Sequence, residues 1–409
     1  MEVTRTEIHI IKQNNKFYPI LNDFCFKAKN LYNHANHIVR ENFTKDKRWV
    51  RYYELNQVLK NDTEYPDYKN MPTAQSAQQL LYKLDKSWEL FFKLIKDWSK
   101  HKEKYNTQPK MPNYKNKHLG TTFWLTNQEV KIKGDIVKFP KTFNGFTIKP
   151  QFTKLNNLVK FNKACIVPKN NYIKVCLLYT VEIQEPKKDN RRYLGIDIGV
   201  DNFATITNTF NNQPFIINGR GLKSINQYYN KQKSIAQSNV SKTTGKIYSQ
   251  KTKKLIQKRS FKVEDFIHKA SRYIVNYAVE NNVCAIVIGN NKNWKKNTNM
   301  GKINNQKFFY IPFIKFINDI KYKAEEKGIT VFIVEESYTS GTSFLDGESP
   351  DKIYYNKNRR IKRGLFQSNK GILINSDVNG SFQIIKKVFP NAFANGIEGV
   401  VFHPVKINL

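Results

Sequence analysis

Acidic residues are scarce in this chain. Its 409 residues include 33 Asp and Glu against 69 Lys and Arg, which gives a formal net charge of +36 at pH 7. A chain with this excess repels itself unless it works beside a polyanion, and the common polyanion is nucleic acid. An AT-rich genome would explain many lysine and asparagine codons, but it gives no reason for so few acids. The charge therefore predicts a protein that binds nucleic acid.

Cysteines and long apolar runs are also few. The four cysteines lie far apart and form no C-x-x-C pair, so we expect neither a disulfide framework nor a zinc ribbon. No run of eighteen apolar residues exists, and the N-terminal MEVTRTEIHIIKQNN lacks the apolar stretch of a signal peptide. These absences predict a protein of the cytoplasm that contacts no membrane.

The N-terminal half predicts a sheet interrupted by helices. Residues 1–19 have the pattern of a strand, and residues 76–98 repeat apolar side chains at the spacing of one helix face. Short segments between 121 and 185 alternate with period two, which indicates a small antiparallel barrel or sheet. We expect the first strand to join the strands of residues 118–188, with the helical residues 20–117 inserted between them.

A basic segment, residues 99–117, follows the helical region. It contains six lysines, two tyrosines and two prolines, and the prolines exclude a continuing helix. An extended, cationic segment with aromatic rings suits a phosphate backbone and the stacking of bases. Lys110, Tyr114 and Lys115 are the candidate contacts, and the alternative is a solvated linker.

Residues 189–409 have a different predicted order of strands and helices. Three strands, within YLGIDIGV, FATITNTF and PFIIN, precede a helical region, residues 220–272, that carries fourteen Lys or Arg. The strand AIVIG, a helix, the strand ITVFIV and a final helix near Asp377 follow. Three strands, helix, strand, helix, strand, helix is the element order of the RNase H fold. The sequence therefore predicts an α/β multidomain protein with a C-terminal domain of this fold.

Two aspartates are candidate metal ligands and catalytic residues in such a domain. Nucleases of this fold use two divalent cations, one to activate water and one to stabilise the leaving oxygen, and Mg²⁺ prefers carboxylate oxygens. Asp197 lies inside an apolar strand, where a lone buried carboxylate is costly unless it binds a cation or a partner. Asp377 lies at the start of the final helix, which it could also cap.

A third carboxylate is missing from its expected place. The strand AIVIG ends in Gly289, whereas ITVFIV, one strand further out, leads into Glu335 and Glu336. One step between strands is about 4.8 Å, which a glutamate side chain can roughly span. Adjacent strand residues point to opposite faces, and both parities of ITVFIV are apolar, so the alternation does not choose between the two. The alternative is a pair of solvated acids at a strand end.

A basic loop precedes the final helix. Arg360, Lys362 and Arg363 are candidate contacts for the phosphates of the scissile strand, because guanidinium groups bind phosphate in a bidentate manner. A solvated basic loop is the alternative interpretation.

Four segments occur in an order and spacing that resemble one known family: GIDIGVDNFATI, PKMPNYK, EESYTSG, and RIKRGLF followed by NSDVNGSF. They are similar to the transposon-encoded TnpB proteins, the ancestors of type V CRISPR effectors, and the similarity extends over essentially the whole chain. The resemblance implies an RNA-guided DNA endonuclease. Such a protein binds a guide RNA derived from the transposon end, recognises a short motif beside its target and cuts DNA with a magnesium-dependent, RuvC-like site.

The resemblance also implies an architecture. Residues 1–19 and 118–188 would form a wedge-like β-barrel, residues 20–117 an inserted helical recognition domain, and residues 189–409 the RuvC-like nuclease domain. The protein would work as a monomer on one guide RNA, against double-stranded target DNA, in the cytoplasm of a prokaryote.

The chain departs from the common family pattern twice. Residues 341–366 contain no cysteine where most relatives carry a zinc ribbon, so we expect no structural zinc. Gly289 replaces the catalytic glutamate of many relatives. An acid at this place before the YTS motif is common among them, which favours Glu336 over Glu335.

Two rival functions remain compatible with the sequence. Loss of two or more acids would favour an RNA-guided DNA-binding repressor without nuclease activity, but Asp197 and Asp377 are both present. A DNA transposase without an RNA guide would need the same fold and metals.

Overall fold

The structure, a computed structural model, describes residues 1–244, 249–291, 311–394, 396 and 399–409. The chain divides into two compact units, Glu2–Glu182, and Ile183–Leu409 together with Met1. The predicted division into three domains is finer than these two units and stays a prediction. Within the described ranges, no helix combines the length and apolar character needed to cross a membrane.

The first unit contains two open antiparallel sheets. Their strands are β1 (Glu2–Lys12), β2 (Phe123–Thr126), β3 (Lys131–Lys133), β4 (Ile136–Lys138), β5 (Thr147–Ile148), β6 (Leu158–Pro168) and β7 (Tyr172–Glu182). The larger sheet has the order β1-β7-β6-β2 and the smaller one the order β3-β4-β5. The first strand thus joins the later strands, as predicted. The pattern allowed a small barrel or a sheet, and the described strands form open sheets without a closed barrel, because β1 and β2 are edge strands that do not pair with each other.

Three helices lie between β1 and β2, namely α1 (Tyr18–Asp46), α2 (Tyr52–Asn61) and α3 (Ala74–Lys100). Thr73 begins α3 with a capping box, in which its side chain accepts a hydrogen bond from Ser76 N. Trp88 is fully buried and donates from Nε1 to Asn36 Oδ1 of α1 at 3.0 Å. The leucine and aromatic stripe predicted on α3 is therefore core, and α2 is a helix that the sequence patterns do not predict.

The second unit is built on a six-stranded mixed sheet. Its strands are β8 (Tyr193–Ile198), β9 (Asn202–Asn208), β10 (Phe215–Asn218), β11 (Ala285–Gly289), β12 (Thr330–Val334) and β15 (Val405–Ile407), and a separate hairpin contains β13 (Leu365–Gln367) and β14 (Leu373–Asn375). The order is β12-β11-β8-β9-β10-β15. Strands β8, β9 and β10 are antiparallel, whereas β11 and β12 run parallel to β8. The prediction that AIVIG lies beside the strand of Asp197, with ITVFIV one strand further out, is confirmed.

Helices cover both faces of this sheet. They are α4 (Arg220–Thr244), α5 (Gln250–Glu280), α6 (Phe313–Glu325) and α7 (Ser376–Val388). Alternation along β8 divides its side chains: Leu194, Ile196 and Ile198 pack in one core with α5 and α6. Tyr193 packs in a second core with α7. Since Asp197 has the parity of Tyr193, it lies on the α7 face.

Candidate active site

Asp197 lies in β8, near the carboxyl end of a strand that is flanked by β9 and β11. Gly380 of α7 faces it directly, because a Cβ atom at position 380 would lie 2.9 Å from Asp197 Oδ2. The helix therefore presents bare backbone to the carboxylate, and a side chain at position 380 would displace it.

Strand register assigns the candidate glutamates to opposite faces. The parallel pairing of β11 with β8 ends with Ile288 opposite Ile196, directly before Gly289 and Asp197, and the pairing with β12 places Gly289 opposite Val334. Side chains alternate along an extended chain, so Glu336, two residues after Val334, returns to the face of Asp197. By the same alternation Glu335 is expected on the opposite face, and its side chain is exposed.

Glu336 occupies the space that a side chain at position 289 would fill. A Cβ atom on Gly289 would lie 2.7 Å from Glu336 Cγ, 2.8 Å from Glu336 Oε1 and 2.5 Å from Ile384 Cδ1 of α7. The carboxylate of the outer strand thus crosses over β11 towards Asp197, as the missing side chain allows. Of the two glutamates, the structure brings only Glu336 to this face.

The turn that carries Glu336 is fixed from both sides. Lys387 Nζ donates to the carbonyl oxygen of Glu335 at 2.8 Å and to Ser337 Oγ at 2.9 Å. Thr339 donates its hydroxyl to the carbonyl oxygen of Glu336 at 2.8 Å. The backbone around Glu336 is therefore held by α7 and by the start of the following loop.

Asp377 lies in the first turn of α7, but it does not cap the helix. The cap is Asn375, whose Oδ1 accepts from the backbone nitrogens of Asp377 and Val378 at 2.9 and 3.2 Å. The capping role considered for Asp377 is therefore wrong, because the amide side chain of Asn375, two residues earlier, already accepts from these donors. The Asp377 carboxylate is directed elsewhere, and its Oδ2 accepts from Asn202 Nδ2 at 2.6 Å.

The three acids repel one another electrostatically. Burial, followed by the charges of Glu336 and Asp377, raises the pKa of Asp197 well above its usual value, although Arg360 acts in the opposite direction. Burial raises the pKa of Glu336 to about 7, against a lowering influence of Lys387. Glu336 Oε1 is buried and has no hydrogen-bond partner within the part of the chain that the structure describes.

This donor set fits a hard divalent cation. Asp197, Glu336 and Asp377 supply carboxylate oxygens of the kind that Mg²⁺ prefers, and a bound cation would relieve both their repulsion and the unpaired oxygen of Glu336. The side chains do not form a closed ligand shell, since no group of three or more His, Cys, Asp or Glu in ready metal-binding geometry occurs among the described residues.

The basic loop before α7 reaches the site through Arg360. Its Nη2 lies 3.8 Å from Asp377 Oδ1. Arg363 forms an ion pair with Asp201, in the turn that follows β8, and keeps a largely exposed side chain. Lys362 is exposed. The structure therefore brings Arg360 to the carboxylates, whereas Lys362 and Arg363 remain on the surface.

The segment before α7, residues 341–366, is held without cysteine. The Glu348 carboxylate accepts from Arg359 Nη1 at 2.5 Å, from Ser343 N at 2.8 Å and from Asn369 Nδ2 at 3.3 Å. Its side chain is 9% exposed and that of Arg359 is 15% exposed. Glu348 thus connects Ser343 and Arg359 of this segment with Asn369 just after it, and we call this arrangement the Glu348 clamp.

In the first unit, the segment with Lys110, Tyr114 and Lys115 lies along α1. Asn33 bonds both backbone polar groups of Lys115, at 2.7 and 3.0 Å. The Arg40 guanidinium lies 5.0 Å from the ring centroid of Tyr114. The backbone is therefore fixed, while the side chains of all three candidate residues stay exposed.

Two residues at the site have only weak signals in the sequence. Gly380 follows Asp377 by three positions, so both lie on one helix face. A glycine at this spacing could have indicated that the helix backbone approaches β8 closely. Asn202 has the character of an ordinary turn residue, and only the tertiary structure connects it with Asp377.

The fold and the site define the structural class of this protein. It is an α/β protein in which acids from β8, the end of β12 and α7 approach one another at the carboxyl edge of a mixed sheet. Models of two protein families match this chain. OrfB_IS605, described as a probable transposase, matches residues 176–295, and the Cas12f1-like TNB domain matches residues 313–384. These matches support the resemblance to the TnpB proteins that the sequence motifs indicate.

No curated protein matches the chain. Several solved structures resemble it at low identity. A Cas12f1 complex with single guide RNA and target DNA has 16% identity and a TM-score of 0.36, over 93% of this chain and 98% of that one. A CRISPR-Cas12f ternary complex has 15% identity and a TM-score of 0.39, over 89% and 80%. A Cas12i complex with crRNA and double-stranded DNA has 11% identity and a TM-score of 0.34, over 80% and 55%.

Proposed function

We propose that this protein is an RNA-guided DNA endonuclease that hydrolyses phosphodiester bonds with Mg²⁺. The observation that carries the proposal is the position of Glu336 over Gly289, on the sheet face that Asp197 occupies. The strand order β12-β11-β8-β9-β10 supports an RNase H-type, RuvC-like domain. The relationship to TnpB and the net charge of +36 support RNA and DNA as partners.

In this proposal Asp197, Glu336 and Asp377 would hold two magnesium ions, and the ions would supply the chemistry of water activation and of leaving-group stabilisation. The chain's own groups position the metal ligands and bind the phosphate. Carboxylates from β8, the end of β12 and α7 keep the ligands on one side of the sheet. Arg360 supplies a guanidinium for the phosphate that is cut. Glu335, with an exposed carboxylate on the other face, is not part of the proposed site.

Binding of the nucleic acids is assigned to the basic surfaces. Lys362 and Arg363 would contact phosphates near the proposed site. Lys110 and Lys115 would contact the backbone of RNA or DNA, with Tyr114 available for stacking on a base. This role for the segment along α1 is supported by its fixed backbone and exposed side chains.

The second candidate function is a DNA transposase that works without an RNA guide, because one matching family is described as a probable transposase. An RNA-guided repressor without cleavage is disfavoured, since three acids face the same side of the site. Loss of a single acid would have been enough to weaken a two-metal site.

The test is to purify the full chain after coexpression with the DNA that flanks its gene, to sequence any bound RNA, and to assay cleavage of DNA that matches that RNA. The proposal expects one discrete RNA species and cleavage that requires both a matching target and Mg²⁺, and that EDTA abolishes. Cleavage without bound RNA would favour the transposase. Target binding without cleavage would favour the repressor.

The raised pKa of Glu336 predicts how stability depends on pH without metal. A carboxyl whose pKa is higher in the folded protein stabilises the fold below its unfolded value, near 4.5, and this contribution is lost as pH rises through about 7. In EDTA, Glu336→Gln should therefore match the wild type near pH 4.5. It should be more stable at pH 8, by roughly 1–3 kcal/mol.

Chemical denaturation across this pH range measures the difference. Glu335→Gln is the matched control, because its side chain is exposed, and it should follow the wild type at every pH. Parallel curves for the wild type and Glu336→Gln would contradict the prediction.

A further inference from the structure

Asn202 makes a short hydrogen bond to the carboxylate of Asp377. Its Nδ2 donates to Asp377 Oδ2 at 2.6 Å, across 175 positions of sequence. A hydrogen bond to a carboxylate is stronger than one between neutral groups, and its short length is typical of a charged acceptor. The contact joins the first residue of β9 to the first turn of α7.

The turn before β9 holds Asn202 in place. Gly199 N donates to Phe203 O at 3.2 Å, and Gly219 N donates to Asp201 O at 2.9 Å. The carboxylate of Asp201 is paired with Lys223 and with Arg363. Both sides of the turn are therefore fixed, and the amide of Asn202 points to Asp377 from a rigid base.

The two carboxylate oxygens of Asp377 have different neighbours. Oδ2 is held by the Asn202 amide, while Oδ1 lies 3.8 Å from Arg360 Nη2. An amide is a donor without a net charge, so it orients the carboxylate but leaves its negative charge available. A lysine or arginine at position 202 would instead neutralise that charge and compete with a cation.

We propose that Asn202 is the positioning residue for Asp377, fixing one carboxylate oxygen so that the other is presented to the cation. This inference rests on the proposed function, since it assigns a role within the same site. Partners that orient a ligand in this way commonly change metal affinity or activity by about 10–100-fold when they are removed.

The test compares Asn202→Ala with Asn208→Ala in the full chain. Asn208 lies at the other end of β9, and its Oδ1 accepts from the backbone nitrogens of Phe210 and Asn212, so its role is to hold a turn. Binding of Mn²⁺ is measured by electron paramagnetic resonance on the RNA-free protein. Thermal unfolding is followed in EDTA, and the half-saturating Mg²⁺ concentration is taken from cleavage assays.

We expect Asn202→Ala to weaken Mn²⁺ binding about tenfold or more and to raise the half-saturating Mg²⁺ concentration similarly, with cleavage recovering at high Mg²⁺. Asn208→Ala should lower the unfolding temperature without changing Mn²⁺ affinity. In an Asp377→Ala background, Asn202→Ala should have no further effect on Mn²⁺ binding, because the two residues act as one unit.

Two results would overturn the inference: unchanged Mn²⁺ affinity in Asn202→Ala, or an equal loss of affinity in the presence and absence of Asp377. Because Mn²⁺ binding is measured without nucleic acid, the inference can fail while the wild type still cuts DNA. Conversely, a wild type that binds Mn²⁺ through Asp377 and Asn202 but never cuts would refute the proposed nuclease and leave the positioning role intact.

Discussion

Glu336→Gln is expected to reduce Mg²⁺-dependent DNA cleavage by about a thousandfold or more, whereas Glu335→Gln should retain activity within about threefold. The two residues are adjacent, have the same chemistry and differ only in the face to which register assigns them. Glu336 lies over Gly289, towards Asp197, and Glu335 is exposed on the other side. The amide keeps the shape of the side chain but removes the charge that a cation requires.

The measurement is single-turnover cleavage by the purified complex of protein and guide RNA at saturating Mg²⁺. Asp197→Asn and Asp377→Asn should match the loss in Glu336→Gln. Guide-RNA binding, measured by filter retention, should be unchanged in all four variants, since none of these side chains is assigned to the RNA. An inactive Glu335→Gln beside an active Glu336→Gln would reverse the assignment.

Breaking the Glu348 clamp is expected to produce the largest loss of stability. Removal of one partner of a nearly buried ion pair leaves the other charge unpaired, at a cost of about 3–5 kcal/mol. In this clamp Glu348→Ala also removes the acceptor for Ser343 and Asn369. We therefore expect Glu348→Ala to increase hydrogen exchange across residues 341–371 by at least about a hundredfold, which corresponds to a local loss of about 3 kcal/mol.

Hydrogen exchange read by mass spectrometry checks this expectation, and an exposed ion pair provides the control. Lys149 and Asp135 also lie 2.5 Å apart, but their side chains are 65% and 46% exposed, so Asp135→Ala should leave hydrogen exchange around position 135 close to that of the wild type. Replacing Glu348 and Arg359 together by apolar residues should recover part of the loss. If exchange in the segment were unchanged in Glu348→Ala, the clamp would not be what orders it.

The candidate acids could be located from the sequence because each had a local signal. Asp197 interrupts an apolar strand, and the pair at 335 and 336 ends one in a chain that is poor in acids. The choice between the two glutamates depended on register. Both parities of β12 are apolar, and only its pairing with β11 shows which position faces Asp197.

Other features depended on contacts between distant residues. The sequence made Asp377 a possible cap of α7, because Asp and Asn have similar preference for that position, and only the structure shows that Asn375 is the cap. Whether the N-terminal strands close into a barrel depends on pairing between edge strands, which alternation along one strand does not encode. The short strand β15 pairs with β10 across nearly 190 residues, and no local pattern identifies such a partner.

The contact between positions 289 and 336 restricts the order in which substitutions can accumulate. A Cβ atom at 289 would lie 2.7 Å from Glu336 Cγ, so even alanine there requires Glu336 to move, and a second glutamate would compete for the same volume. The space near Asp197 therefore holds one glutamate side chain, which can come from position 289 or from position 336. A lineage that moves the glutamate from one strand to the other must pass through one of two intermediates. One has glutamates at both positions and is sterically crowded, and the other has a glutamate at neither position. The exchange is therefore rare, and each arrangement persists.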